Sequence, residues 1–144
     1  VVGDDNAGPY QRLARRLKVD DRVRFMGGQD NVPDWLWSAD LLLHPAYAEN
    51  TGTVLLEAAV AGLPVLTTRA CGYAGYIGDG GLGRVLDDPD GEELAAAATD
   101  LLARPRDHWR EQGRRFAAEA DIHGLVERAV DAIEQDATEP KEPR

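Results

Sequence analysis

The sequence predicts one α/β domain built on a doubly wound, mainly parallel sheet. Three observations carry that prediction. Short apolar runs alternate with segments whose apolar residues recur at helical spacing. Helix start and stop signals, at Pro9, Gly62 to Pro64 and Asp90, fall between them. Leu41-Leu42-Leu43 is a continuous apolar run between loops, the pattern of a strand buried on both faces of a parallel sheet.

Val1-Val2-Gly3-Asp4-Asp5 reads as the end of a buried strand running into a turn, so the chain reads as an N-terminally truncated fragment. Pro9 suits the first turn of a helix because its missing N–H has no partner to lose there. Tyr10, Leu13, Ala14 and Leu17 come next at helical spacing. Val23 to Met26 is a short strand closed by Gly27-Gly28, and Asn31 caps a helix running through Ser38. After Leu41–Leu43, Pro45 to Thr51 is a loop and Gly52 to Ala61 a helix, ended by Gly62 and Pro64. Val65–Thr67 is a strand, Gly72 to Gly83 a glycine-rich connection, and Arg84–Leu86 the last strand. Asp90 caps an alanine-rich helix that stops near Pro105. Residues 106–135 read as helical with a break near Asp121–Gly124. The domain therefore covers 1–136, and the polar, proline-bearing residues 137–144 form a disordered tail.

Composition narrows the function. The 144 residues carry 26 acidic and 16 basic side chains, a net charge of −10. That charge opposes nonspecific binding of the whole chain to nucleic acid or anionic lipid. No apolar run approaches the roughly 18 residues of a membrane span. The single cysteine, Cys71, excludes an internal disulfide framework and fits a cytoplasmic setting.

Ligands of such sheets bind outside the carboxyl ends of the strands. This directs attention to the loops around 27–31, 44–51 and 68–81. In His44-Pro45-Ala46-Tyr47-Ala48-Glu49-Asn50-Thr51-Gly52-Thr53-Val54-Leu55-Leu56-Glu57, one carboxylate ends the loop. The second, Glu57, lies about 7–8 Å along the following helix. Between them a helix N-terminus offers unpaired N–H groups to phosphate oxygens. Carboxylates accept from sugar hydroxyls. Carboxylate, phosphate-sized gap and carboxylate can therefore match sugar, diphosphate and ribose. Two glutamates at this spacing are equally read as solvated surface residues; their setting at a strand's carboxyl end favours a site. His44 either lines that site or is hydrogen-bonded to backbone. Cys71 reads as a small half-buried thiol, Tyr73 and Tyr76 as loop packing or cleft border, and Trp109 as an anchor for its helix. One of Trp35 and Trp37 is expected in the core. The glycines from Gly78 to Gly83 read as a turn, since they do not open a helix.

The pair Glu49 and Glu57, with seven residues between, resembles the E-x7-E motif of family 4 glycosyltransferases, which have the two-domain GT-B architecture. Asp40 to Tyr47 resembles the strand before that motif. Thr53 to Ala58 and Ala61 to Thr68 resemble the stretch after it. Cys71-Gly72-Tyr73-Ala74 with Tyr76-Ile77 is similar to the lipopolysaccharide core enzymes that glucosylate heptose. The likeness covers about residues 1–135 and corresponds to the C-terminal, Rossmann-like, donor-binding domain.

That resemblance implies roles. Glu49, the catalytic candidate, would hold hydroxyls of the donor sugar, and Glu57 the ribose. Amides of Asn50, Thr51, Gly52, Thr53 and Val54 would meet sugar and diphosphate. Met26, Gly27 and Gln29 would lie beside the uracil. It implies glucose transfer from UDP-glucose with retention and without metal or other cofactor. The acceptor, lipopolysaccharide core, would be held by a domain preceding Val1, so the isolated chain is expected to be inactive. The parent would be cytoplasmic, peripheral at the inner membrane. The family's diphosphate-binding Arg and Lys would also precede Val1, leaving Arg69 as the nearest substitute. Gly75 and Gln29 stand where a relative carries His and Arg. The first strand would be missing from the sheet centre, so another chain, a rearrangement or a strand-swapped homo-oligomer is expected to complete it. The alternatives are a non-catalytic UDP-sugar-binding module, and a GT-B transferase or epimerase for a different nucleotide sugar.

Overall fold

The computed structural model describes residues 1–4 and 6–119. The expected break near Asp121–Gly124 and the tail at 137–144 lie outside the described residues. The chain divides into two compact units, Val1–Ser38 and Ala39–Arg144.

In the first unit, helix α1 spans Gly8–Arg16 with Pro in its first turn, and α2 spans Val32–Ser38. Leu17 caps α1, and Lys18 comes next in the left-handed region at φ 57°. The Lys18 N–H then reaches Arg15 O and the Val19 N–H reaches Ala14 O, which closes the helix without glycine. Asn31 precedes α2 as expected, but its side-chain oxygen accepts from the Trp35 indole at 3.2 Å. Leu36 is buried and Trp37 is 75% exposed.

The strands expected at Val1–Gly3 and Val23–Met26 are not formed. The two segments run side by side, with Met26 N–H donating to Val1 O at 2.8 Å and Gly3 N–H to Gly27 O at 2.9 Å. Val1 and Val2 are exposed rather than buried. The reason is that two paired segments alone hold a ladder only weakly. Their apolar side chains border an open groove with Tyr10 and Phe25 instead of a second layer.

The second unit holds a three-stranded parallel sheet in the order β1 (Leu42–His44), β2 (Val65–Thr68), β3 (Gly83–Leu86). Leu42 pairs with Val65 and His44 with Thr67. On the other side Val65 pairs with Gly83 and Thr68 with Leu86. Helices α3 (Thr53–Val60), α4 (Ala74–Asp79), α5 (Gly91–Leu102) and α6 (Arg106–Glu119) complete the unit. All four residues of β2 are buried. Successive strand side chains point to opposite faces, so both faces of β2 are covered.

One face packs Leu66 against Leu86, Ala97, Leu101 and Trp109. Burying each of the larger apolar side chains there contributes about 1.5–3 kcal/mol. The Trp109 indole donates to Leu101 O at 3.3 Å, so its polar tip is satisfied. Asp90 caps α5 as predicted: its carboxylate accepts from the Glu93 N–H at 2.8 Å.

Two segments of this unit depart from the sequence-based expectation. The stretch from Gly72 to Gly83, expected as a loop and turn, contains α4. Buried Ala74 and Ile77 hold that helix against α3 and β3, and this packing outweighs the helix-breaking tendency of its glycines. Leu41–Leu43, expected to be buried on both faces, leaves Leu43 50% exposed. Among the described residues of this unit, β1 is hydrogen-bonded to β2 alone.

Candidate functional site

The site is built from two loops, each leaving the carboxyl end of a parallel strand. The first leaves β1 at His44 and enters α3 at Gly52. Gly52 sits at the helix N-cap with φ 70°, a backbone that L side chains rarely adopt, and its Cβ would meet Cys71. No side chain caps this helix end. Its first amides are therefore free to face a ligand, apart from the Leu55 N–H, which returns to Gly52 O at 3.0 Å.

The second loop leaves β2 at Thr68 and is stitched to the first. The Tyr73 N–H donates to Thr51 O at 3.0 Å. A Cβ on Gly72 would fall 2.7 Å from Asn50 O, so only glycine permits this approach. Thr68 Oγ1 donates to Ala46 O, tying the same two loops further back.

Glu49 lies in this seam. Its Oε1 accepts from the Asn50 N–H at 2.8 Å, and its Oε2 lies 3.6 Å from His44 Nε2. The other ring nitrogen, Nδ1, is 3.4 Å from Cys71 Sγ, and Cys71 is buried. Thr67 Oγ1 lies 3.2 Å from that sulfur and 3.1 Å from His44 O. Glu57 lies on α3, one helical turn beyond Thr53, and is exposed.

The structure thus brings Glu49, Asn50, Thr51, Gly52, Thr53, Val54 and Glu57 onto one loop and helix. Met26, Gly27 and Gln29 belong to the first unit and are described there alone. Gln29 Nε2 turns back onto Met26 O and Gly28 O, both at 2.9 Å, and Gly27 takes φ 67°. The contact of His44 with Glu49 and Cys71 carried no signal in spacing, because 27 residues separate the histidine from the cysteine. The one available clue was that His44 lies at the carboxyl end of one expected strand and Cys71 a few residues beyond the next.

A groove of about 600 Å³ borders the seam, lined by Asn50, Arg69, Cys71, Gly72, Gly75 and Arg84 among others. A smaller depression of about 220 Å³ runs from Pro45–Tyr47 to Asp87–Pro89. The depression has the carboxylates of Asp87 and Asp88 and no basic side chain, whereas the larger groove has Arg69 and Arg84 beside one carboxylate, Asp79, and so suits an anionic ligand better. Arg69, on that groove, is hydrogen-bonded to Asp87. That bond, and then the Asp87 charge, raise the guanidinium's pKa above its ordinary value. Among the described residues no cluster of three His, Cys, Asp or Glu side chains has the arrangement of a metal site. No helix among them is long and apolar enough to cross a membrane.

Residues 1–116 match the family described as Glycosyl transferases group 1, and the chain belongs to that family. It is 44% identical over 138 residues to the lipopolysaccharide glucosyltransferase WaaG of Escherichia coli K12, covering 92% of this chain and 36% of WaaG. The crystal structure of a WaaG described as involved in lipopolysaccharide biosynthesis superposes with a TM-score of 0.81, covering 92% of this chain and 37% of that one. A D-inositol 3-phosphate glycosyltransferase of Streptomyces scabiei is 35% identical over 116 residues, 79% of this chain and 26% of the relative. HepE of Anabaena, solved with UDP-glucose, shares the fold at a TM-score of 0.77 and 21% identity, with 93% of this chain and 40% of that one covered. The chain therefore spans about a third of the length of these relatives.

Proposed function

We propose that this chain binds the donor, UDP-glucose, for a retaining glycosyltransferase acting on lipopolysaccharide core heptose. The observation that carries the reading is the placement of Glu49 and Glu57 on either side of the open α3 N-terminus, in a chain 44% identical to WaaG. Glu49, at the loop end, accepts from the sugar hydroxyls. The amides of Thr51 to Val54, with the positive end of α3, receive the diphosphate, while the Asn50 N–H is taken by Glu49 Oε1. Glu57, further along α3, accepts from the ribose hydroxyls. The UDP-glucose complex of HepE, which shares the fold, supports this choice of donor class.

Further parts of the reading come from the family likeness. The leaving diphosphate oxygen helps deprotonate the acceptor on the same face, and no metal takes part. A domain outside this chain holds the acceptor, so the chain alone binds donor without turnover. The parent protein works in the cytoplasm at the inner membrane. The unpaired side of β1 is covered by another strand, either from the parent protein or from a second copy.

Calorimetric titration with UDP-glucose tests the reading. The folded chain is expected to bind, and Glu57→Ala to weaken binding by about 10–100-fold, the value of hydrogen bonds to a charged acceptor. A folded chain that takes up no UDP-sugar, or a Glu57→Ala variant that binds as tightly as the parent, overturns it.

A further inference from the structure

We infer that His44 is the positioning residue for Glu49: it holds the sugar-facing carboxylate in place from behind, through a chain of polar contacts that begins in the core. The inference rests on the donor-binding reading above.

The chain of contacts starts at Thr67, which is 1% exposed in β2. A hydroxyl has one proton and donates once. The Thr67 hydroxyl has two neighbours, His44 O at 3.1 Å and Cys71 Sγ at 3.2 Å. In the arrangement inferred, the hydroxyl donates to the carbonyl and the Cys71 S–H donates to His44 Nδ1, 3.4 Å away. Nδ1 is then an acceptor, so the neutral ring carries its proton on Nε2. Nε2 is the atom that faces Glu49 Oε2. One consistent set of protons thus runs from the buried strand to the carboxylate.

The geometry suits positioning. The His44 backbone is held in the β1 ladder opposite Thr67, and its side chain is only 24% exposed. The ring therefore has little freedom, whereas Glu49 sits on a loop with no regular structure. The 3.6 Å separation is longer than a hydrogen bond, as is common at ligand-free sites, where such contacts tighten on binding. With Oε1 already on the Asn50 N–H, the two contacts fix both the place and the tilt of the carboxylate. A carboxylate so held loses less freedom on binding.

Two substitutions separate this role from packing. In His44→Gln the side-chain amide nitrogen reaches where Nε2 stood, toward Glu49. In His44→Asn the amide reaches only where Nδ1 stood, toward Cys71. Both are compared with the parent in UDP-glucose affinity and in melting temperature. His44→Asn is expected to weaken binding about tenfold, and His44→Gln to restore it to within about threefold of the parent. In a Glu49→Gln background, His44→Asn is expected to add less than about twofold, because the two act as one unit. Equal losses in the two His44 variants, or none in His44→Asn, overturn the positioning role while leaving donor binding intact. A parent chain that binds no UDP-glucose overturns donor binding and positioning together. Nitrogen-15 spectra of the ligand-free chain give a readout independent of affinity. The His44 ring, identified by its loss in His44→Gln, is expected as the Nε2–H tautomer, and an Nδ1–H tautomer overturns the inference.

Discussion

Strands β1 and β2 lie side by side in register, yet they meet opposite fates. Val65, Leu66, Thr67 and Thr68 of β2 are all buried, with a hydrogen-bonded strand on each side and side chains packed on both faces. In β1, Leu42 and His44 are only partly exposed, and Leu43 is 50% exposed. By residue type alone, Leu41-Leu42-Leu43 is the more apolar of the two. Burial therefore reflects the neighbours each strand acquires rather than its own hydrophobicity. The difference also separates two jobs. β2 anchors the core, and β1, tied to it by the ladder and by Thr67, carries the site out to the surface.

The largest test of that contrast is Leu66→Ala. Leu66 is fully buried against Leu86, Leu101 and Trp109, so its truncation is expected to cost about 2–5 kcal/mol in denaturant unfolding. A loss below about 1 kcal/mol would break the claim that this face is the core. Thr67→Val comes next. It keeps the volume but removes the hydroxyl that links β2 to His44 O and Cys71. His44 O still accepts from the Ala46 N–H at 3.0 Å, so the expected cost is about 1 kcal/mol. If the Thr67 hydroxyl also orders His44, this variant weakens UDP-glucose binding beyond its effect on stability, a separation that titration at equal folded fraction reads. The smallest effect belongs to Leu43→Ala, expected within about 0.5 kcal/mol because half of that side chain already faces solvent. A cost comparable to that of Leu66→Ala would mean that Leu43 is covered in solution and would break the contrast between the two strands.

Much of the fold was legible because its signals are local. Pro9, Gly62, Pro64 and Asp90 act through their own backbone geometry or through a residue three positions away, and α1, α3 and α5 fall where those residues place them. The elements that were misread depend on distant partners. The glycines from Gly72 to Gly83 argue against a helix, and α4 forms because Ile77 and Ala74 find α3 and β3 to pack on. Val1–Gly3 and Val23–Met26 have strand-like residues, but a strand needs a ladder that this unit supplies only through a few main-chain hydrogen bonds, from Val1 to Arg24 O, Met26 to Val1 O and Gly3 to Gly27 O. For the candidate site, Glu49, Gly52 and Glu57 were visible as a spacing on one segment. His44 was visible as a residue without a partner. Its placement between Glu49 and Cys71 arises only when the β1 and β2 loops close on each other, with Gly72 against the Asn50 carbonyl.

Residue types at short spacing were enough to set the alternation of strands and helices, the helix caps, the acidic charge and the family motif. Folding in three dimensions settled which apolar runs are buried, whether the glycine-rich stretch is helical, and which nitrogen of His44 faces a carboxylate. The physical reason is that burial and hydrogen-bond partnership are set by contacts between segments far apart in the chain, and those contacts exist only once the parallel strands have paired.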